Sequence, residues 1–475
     1  MQRPGILGFK NIYTIMSLIK SISGIRGTIG GKVNDNLTPL DVVKFASAFG
    51  TWLQNNKNKK NLTLVIGRDA RISGQMVSSL VTATLQGLGI NVIDLGLSTT
   101  PTVEVMVPEL NADGGIILTA SHNPKQWNAL KLLNEKGEFI SGENGAEVLA
   151  LAENEDFNYA EVDDLGKYET RDDAFDIHIK KILDLPMVDA EAIKAKKFKI
   201  VLDAVNSTGG ISIPPLLEKL GCEVIELYCE PNGQFPHNPE PLKEHLTDIC
   251  NLVKETNADL GIVVDPDVDR LALIDENGEM FGEEYTLVAV ADYLLKQKKG
   301  AAISNLSSSR ALRDVAKKLG SEYFASAVGE VNVVTLMKEK NAVIGGEGNG
   351  GIIYPDLHYG RDSLVGVALF LTHLAKENKT VSELRASYPA YFMGKKKIEL
   401  TPEIDVDALL VKVQEEFKNE EISTVDGVKI DFPENWVHLR KSNTEPIIRI
   451  YTEASTQQKA DELGDNMIAK IKSLI

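Results

Sequence analysis

The chain has 475 residues, 43% of them apolar and 25% charged, an ordinary globular balance and enough length for about three or four domains. Its formal net charge of -17, from 51 basic and 68 acidic residues, argues against nucleic-acid and membrane partners, and any anionic ligand would need its own local cluster of Arg and Lys. Three unpaired-looking cysteines argue against a disulfide framework, seven scattered histidines against a zinc hydrolase, and no apolar run reaches the roughly 18 to 20 residues that span a bilayer.

Residues 1–15 carry Arg3, Pro4, Gly5, Gly8 and Lys10, without an apolar core or a small-residue cleavage site. They read as a loose tail or an upstream start artefact rather than a secretory signal, with Met16 as the working start and the cytoplasm as the expected compartment.

A repeat follows. An apolar run at 62–66 breaks at Gly67-Arg68-Asp69, continues amphipathically to Leu88-Gly89 and enters a second apolar run at 90–95. The same order recurs from 198–202 through a break at 203–210 to Leu220-Gly221, and from 301–303 through a break at 305–309 to Leu319-Gly320. Strand, polar loop, helix, Leu-Gly stop and strand predict parallel β-α-β units, repeated three times. Any α/β protein gives some such alternation; the shared Leu-Gly stop is what favours a repeat. From about Tyr391 the pattern changes to short strand-like runs around an acidic amphipathic segment at 402–418, closed by a helical stretch. The expected fold is therefore α/β: three similar domains over 16–160, 161–270 and 271–386, with mixed or parallel sheets, and a smaller C-terminal α+β domain over 387–475.

Four motifs carry chemistry. In 115–124 an apolar strand runs into Thr119-Ala120-Ser121-His122-Asn123-Pro124, where Asn-Pro forces a turn and lifts a hydroxyl off a sheet edge. Ser121 can then act as a nucleophile or a phosphoryl carrier, unless this is a plain polar turn. In 263–270 the acids Asp265, Asp267 and Asp269 alternate at the end of an apolar strand, hard oxygen ligands suited to Mg²⁺. A calcium EF-hand fails here because Arg270 occupies the obligatory glycine position; a solvated acidic loop is the remaining alternative. Gly345-Gly346-Glu347-Gly348-Asn349-Gly350-Gly351 allows close backbone approach to a ligand, with Glu347 and Asn349 free to bond hydroxyls, but it matches neither a dinucleotide nor a Walker loop. Arg440-Lys441-Ser442-Asn443-Thr444, followed by Arg449, gathers the cations and hydroxyls that a phosphate needs in so acidic a chain.

Together and in this order, these four motifs resemble the α-D-phosphohexomutase superfamily from about Ile22 to Ile450. The resemblance implies four domains around a central cleft, with Ser121 as the phosphoserine and a ligand to Mg²⁺ beside Asp265, Asp267 and Asp269. It implies Arg26 as an active-site arginine, Lys131 as the residue handling a hydroxyl proton with a pKa lowered by clustered cations, and His122 and Arg270 as substrate contacts. Glu347 and Asn349 would read sugar hydroxyls; Arg440, Ser442, Asn443, Thr444 and Arg449 would hold the distal phosphate. The expected partners are hexose or hexosamine phosphates, with a sugar 1,6-bisphosphate as activator. The sequence departs from the pattern at Pro266, at Asn349 and at Gly351, where many members place His, and 327–332 lacks a basic residue after its glycine. The Glu-Gly-Asn-Gly-Gly form is similar to that of archaeal-type phosphoglucosamine mutases, which implies glucosamine 6-phosphate and glucosamine 1-phosphate as the pair interconverted. Glucose or mannose phosphates are the nearest alternative, a metal-dependent sugar-phosphate phosphatase a remoter one.

Overall fold

The structure, a computed structural model, describes residues 17–21, 24–57, 59–401, 403–441 and 447–474. The expected tail at 1–15 lies outside the described residues.

In the first domain β1 (Ile19–Ser21) and β2 (Gly24–Thr28) lead to α1 (Pro39–Asn56), which Thr38 and Asp41 open with a capping box. β3 (Thr63–Arg68), α2 (Gly74–Gly87), β4 (Asn91–Leu97), α3 (Thr100–Glu109) and β5 (Gly114–Leu118) form parallel units. β6 (Trp127–Leu133) returns antiparallel to β5, followed by α4 (Gly142–Asn154) and β7 (Tyr168–Thr170), and the strand order is β1-β2-β6-β5-β3-β4-β7. Because β7 pairs with β4, the first sheet continues past the division expected at 160. All three β7 residues are exposed, so no hydrophobic pattern marks them as strand.

The second domain holds α5 (Ala174–Leu183), α6 (Ala190–Lys196), β8 (Lys199–Asp203), α7 (Gly209–Lys219), β9 (Glu223–Leu227), α8 (Thr247–Thr256), β10 (Leu260–Val264) and β11 (Leu271–Ile274). Its strand order is β11-β10-β8-β9. The division expected at 270 is corrected here: β11 pairs antiparallel with β10, so the three acids form the turn of a hairpin rather than the end of a domain.

The third domain holds α9 (Glu283–Gln297), β12 (Ala302–Asn305), α10 (Ala311–Lys318), β13 (Tyr323–Ser326), α11 (Glu330–Lys340), β14 (Ile344–Glu347), β15 (Gly351–Ile353), α12 (Ser363–Glu377) and α13 (Val381–Ala386), with strand order β13-β12-β14-β15. The last domain is an antiparallel sheet ordered β16-β20-β19-β18-β17, built from β16 (Phe392–Glu399), β17 (Glu421–Ser423), β18 (Val428–Asp431), β19 (Trp436–Lys441) and β20 (Ile447–Ala454). Its helices α14 (Val406–Glu416) and α15 (Gln457–Leu474) share a core with the strands through Val413, Met467 and Ile471 against Ile430, Leu439 and Ile450.

The repeat is real in three dimensions. β3-α2-β4, β8-α7-β9 and β12-α10-β13 each place a helix between two parallel, paired strands. Each helix ends at a leucine, followed by a glycine in the left-handed region: Gly89 (φ 78°), Gly221 (φ 72°) and Gly320 (φ 70°). The cores are not divided the same way. One continuous apolar cluster joins the second and third domains, with Ile200, Leu202 and Leu217 in the same body as Leu287, Ile344, Ile352 and Leu369. The first domain keeps a separate core around Phe45, Phe49, Leu64 and Leu118. Among the described residues, no helix is long and apolar enough to cross a membrane.

Candidate active site

The serine loop leaves the C-terminal end of β5. Ser121 has a left-handed backbone (φ 49°), and its N–H donates to Thr119 Oγ1 at 3.0 Å. This turns the hydroxyl toward the second domain, where Ser121 Oγ donates to Asp265 Oδ2 at 2.7 Å. The loop is held from behind by Arg71, a residue that sequence reasoning missed. Its guanidinium donates to the carbonyls of Ser121, Asn123, Pro124 and Trp127, while Nε bonds Asp69 Oδ2 at 2.9 Å. Asp69 also accepts from Thr119 Oγ1 at 2.6 Å, and Phe235 lies over the guanidinium. The only signal in the sequence is the Gly67-Arg68-Asp69 break at the start of the first repeat.

The three acids in the β10–β11 turn are fully buried, with a carboxylate oxygen of each within 4.8 Å of the others. Asp265 Oδ1 accepts the N–H groups of Asp269 and Arg270, both at 3.1 Å. Asp267 Oδ2 accepts from Thr100 Oγ1 at 2.6 Å and Lys131 Nζ at 2.7 Å; Asp269 Oδ2 accepts from Arg361 at 2.7 Å. The second oxygens, Asp267 Oδ1 and Asp269 Oδ1, are buried and have no hydrogen-bond partner. Orphaned carboxylate oxygens converging with a hydroxyl are a donor set that fits a hard divalent cation and could bind one. Burial, then the charges of Asp269 and Asp267, push the Asp265 pKa well above the usual carboxylate range.

Lys131 lies on β6, facing this cluster. The lowered pKa expected for it is corrected. Burial does lower it, but Asp267 and Asp269 outweigh burial and raise the ammonium above an ordinary lysine.

The expected cationic surroundings are assembled from all four domains. His122 Nδ1 lies 3.5 Å from Ser121 Oγ; burial and the Arg270 guanidinium, against Asp267 and reinforced by Arg361 and Arg26, hold its pKa down to about 3. Arg26, on β2, has its pKa lowered by burial and by the guanidiniums of Arg449 and Arg270. Arg270 also pairs with Glu240 at 3.6 Å. Arg440 and Arg449 face one another in the register of β19 and β20, so two like charges share one face, and Arg440 pairs with Asp426 at 2.8 Å. Ser442, Asn443 and Thr444 lie outside the described residues.

The glycine-rich segment is a hairpin rather than an open loop: Glu347 ends β14, Gly351 begins β15, and 348–350 make the turn. The Glu347 carboxylate accepts from Asn305 (2.9 Å), the Gly329 N–H (3.1 Å) and Arg361 (3.1 Å), and Asn349 Oδ1 accepts the Gly351 N–H at 3.2 Å. Arg361, also missed from the sequence, joins the two hairpins: its fork reaches Asp269, Glu347 and Glu330 (2.9 Å). It sits in a second Gly-Arg-Asp tripeptide, 360–362, echoing 67–69.

The same organisation appears in known proteins. Residues 19–159, 176–278 and 282–391 match the alpha/beta/alpha domains I, II and III of phosphoglucomutase/phosphomannomutase, and 395–470 match its C-terminal domain. The chain belongs to this family, within the α-D-phosphohexomutase superfamily, and is an intramolecular phosphotransferase, a mutase. A "Phosphoglucomutase/phosphomannomutase" of Thermococcus kodakarensis is 39% identical over 442 residues, covering 92% of this chain and 96% of that one. A "Phosphoglucosamine/phosphogalactosamine mutase" of Sulfurisphaera tokodaii is 33% identical over 470 residues, 97% of this chain and 99% of the other. Among solved structures, a phosphoglucomutase/phosphomannomutase family protein from Burkholderia thailandensis superposes with a TM-score of 0.82 at 25% identity, covering 97% of both chains.

Proposed function

We propose that this phosphohexomutase interconverts glucosamine 6-phosphate and glucosamine 1-phosphate, with Ser121 as the phosphoryl carrier and a bisphosphorylated sugar as the intermediate. The observation that carries the reading is the 2.7 Å contact between the Ser121 hydroxyl and Asp265, made beside two orphaned carboxylate oxygens. The phosphoryl group on Ser121 passes to the free sugar hydroxyl; the sugar reorients in the cleft; its other phosphate then returns to Ser121.

Phosphoryl transfer passes through a loose, charge-spread transition state, so positioning and electrostatics do most of the work. Asp265, Asp267 and Asp269 would hold Mg²⁺, which when bound neutralises charge on the transferring oxygens. Arg71 fixes the serine loop through its carbonyls and leaves the Ser121 hydroxyl pointing into the cleft. Lys131, which bonds Asp267, and His122, beside the Ser121 hydroxyl, line the place where the phosphoryl group sits. Glu347 and Asn349 bind sugar hydroxyls on the far side. Arg440 and Arg449, with Ser442, Asn443 and Thr444, bind the phosphate that is not being transferred, and Arg26 is near enough to Arg449 for the two charges to repel.

Glucosamine is supported by the Glu347-to-Gly351 sequence and by relatives with phosphoglucosamine mutase names; the Thermococcus relative supports glucose or mannose phosphates as the second reading. Intact mass of the purified chain, followed by coupled assays on the three 6-phosphates, tests both parts. One phosphoryl group mapped to Ser121 and fastest turnover of glucosamine 6-phosphate are expected. Phosphate release without isomerisation would instead make the protein a phosphatase.

A further inference from the structure

Apart from the aspartate cluster, a second set of ligating side chains meets where three domains touch. His178 is on α5, His358 and Asp362 precede α12, with Asp362 its N-cap, and Glu104 is on α3. His178 Nε2 lies 3.0 Å and His358 Nε2 3.3 Å from one atom, Asp362 Oδ2, and the three groups offer donor atoms all within 4.8 Å of one another. Ligand atoms bonded tetrahedrally to one ion at about 2.0 Å stand roughly 3.3 Å apart, so the two imidazoles, which hydrogen-bond Asp362 Oδ2 as they stand, are already at separations that an ion replacing the shared protons would require.

The outer contacts match as well. His178 Nδ1 is hydrogen-bonded to Thr102 Oγ1 at 3.0 Å, while His358 Nδ1 approaches Glu104 Oε2 at 3.5 Å without a hydrogen bond. Metal-bound imidazoles use their other nitrogen in this way, toward a hydroxyl or a carboxylate. Asp362 Oδ1 is occupied separately by the N–H groups of Leu364 and Val365, which leaves Oδ2 for the centre of the cluster. Glu104 is 1% exposed, and both of its carboxylate oxygens lack a hydrogen-bond partner. A buried carboxyl without a partner, aimed at a His–Asp–His group, is unexplained by hydrogen bonding alone.

We propose that His178, His358 and Asp362 form a second metal site, for a borderline divalent ion of the Zn²⁺ type, with Thr102 and Glu104 orienting the two imidazoles. Two imidazoles and one carboxylate select such an ion over Mg²⁺, whereas the all-oxygen set at Asp265, Asp267 and Asp269 does the reverse. The ion would bind the second and third domains together and hold Asp362, and with it the adjacent Arg361 that bridges Asp269 and Glu347.

The test uses the full chain, stripped by chelator and titrated with Co²⁺. One equivalent should bind with intense visible bands of a low-coordinate nitrogen–oxygen site, be displaced by Zn²⁺ and resist excess Mg²⁺. The bands should survive Asp267→Asn and vanish in His178→Gln and in His358→Gln. A wild-type spectrum showing only weak all-oxygen bands that Mg²⁺ removes, or bands retained in both histidine variants, overturns the site. Should either variant fail to fold, X-ray absorption of the zinc-loaded wild-type chain decides: two imidazoles in the shell support the site, and oxygen ligands alone overturn it.

Discussion

Ser121 is an ordinary serine made useful by its supports. Its left-handed φ is set by a loop whose carbonyls converge on the Arg71 guanidinium, and its hydroxyl is aimed by Asp265. Ser121→Ala should abolish turnover and remove the phosphoryl mass from the purified chain while leaving the circular dichroism spectrum unchanged. Arg71→Met removes the partner of buried Asp69 and frees four loop carbonyls. Breaking a buried ion pair this way should lower stability by about 3 to 5 kcal/mol, read by urea unfolding, and lower kcat with it. The serine turn and the acidic turn, which the structure brings together, stood out because each motif is written in consecutive residues. Arg71 and Arg361 did not, since each acts at the end of a long side chain on residues up to 92 positions away. The histidine–aspartate cluster was hidden for the same reason: His178 and Asp362 are 184 positions apart, so a search for helical ligand spacing passes over them.

At the scale of elements, punctuation proved more legible than strand content. The three Leu-Gly stops located three helices and the parallel strands that follow them, because a glycine in the left-handed region ends a helix whatever surrounds it. β7 and β11 were placed outside their sheets: one has no buried residue, and the other lies beyond a turn that reads as a terminus. The glycine hairpin shows the opposite case, in which conformation and packing coincide. Gly350 has φ 87°, and a Cβ there would come within 2.4 Å of the Leu271 carbonyl, which belongs to the strand leaving the acidic turn. Gly350→Ala should therefore cost more than the roughly 1 to 2 kcal/mol of left-handed strain alone, and denaturant unfolding with parallel kcat/KM measurements should show loss of both stability and activity.

At the scale of the molecule, a chain of net charge -17 gathers guanidiniums from separate domains close enough to perturb one another. The opposed Arg440 and Arg449 predict that inorganic phosphate raises the thermal midpoint at low salt, and that Arg440→Ala reduces the gain. The docking of the last domain carries a pH dependence. His438 is fully buried, its Nδ1 bonded to Ser307 Oγ of the third domain at 2.9 Å and its Nε2 donating to the Asp426 carbonyl. Burial, with Lys429 and Arg440 nearby, pulls its pKa from 6.5 to about 4, against the pull of Asp426. Below pH 6.5 the unfolded chain binds a proton that the native site refuses. Stability therefore falls with acid between about 6.5 and 4, by on the order of 3 kcal/mol, and His438→Gln should flatten that slope in unfolding titrations.

The apolar body shared by the second and third domains makes them one mechanical part. Four sheets then correspond to three cooperative units, and native-state hydrogen exchange should give α7 and α12 a common opening free energy, separate from those of α2 and α15. The acidic turn and the glycine hairpin are both rooted in that body, like the bed of a vice. In the proposed reaction the first and last domains, which bear Ser121 and the Arg440–Arg449 pair, would be the jaws that open far enough for a half-converted sugar to turn over.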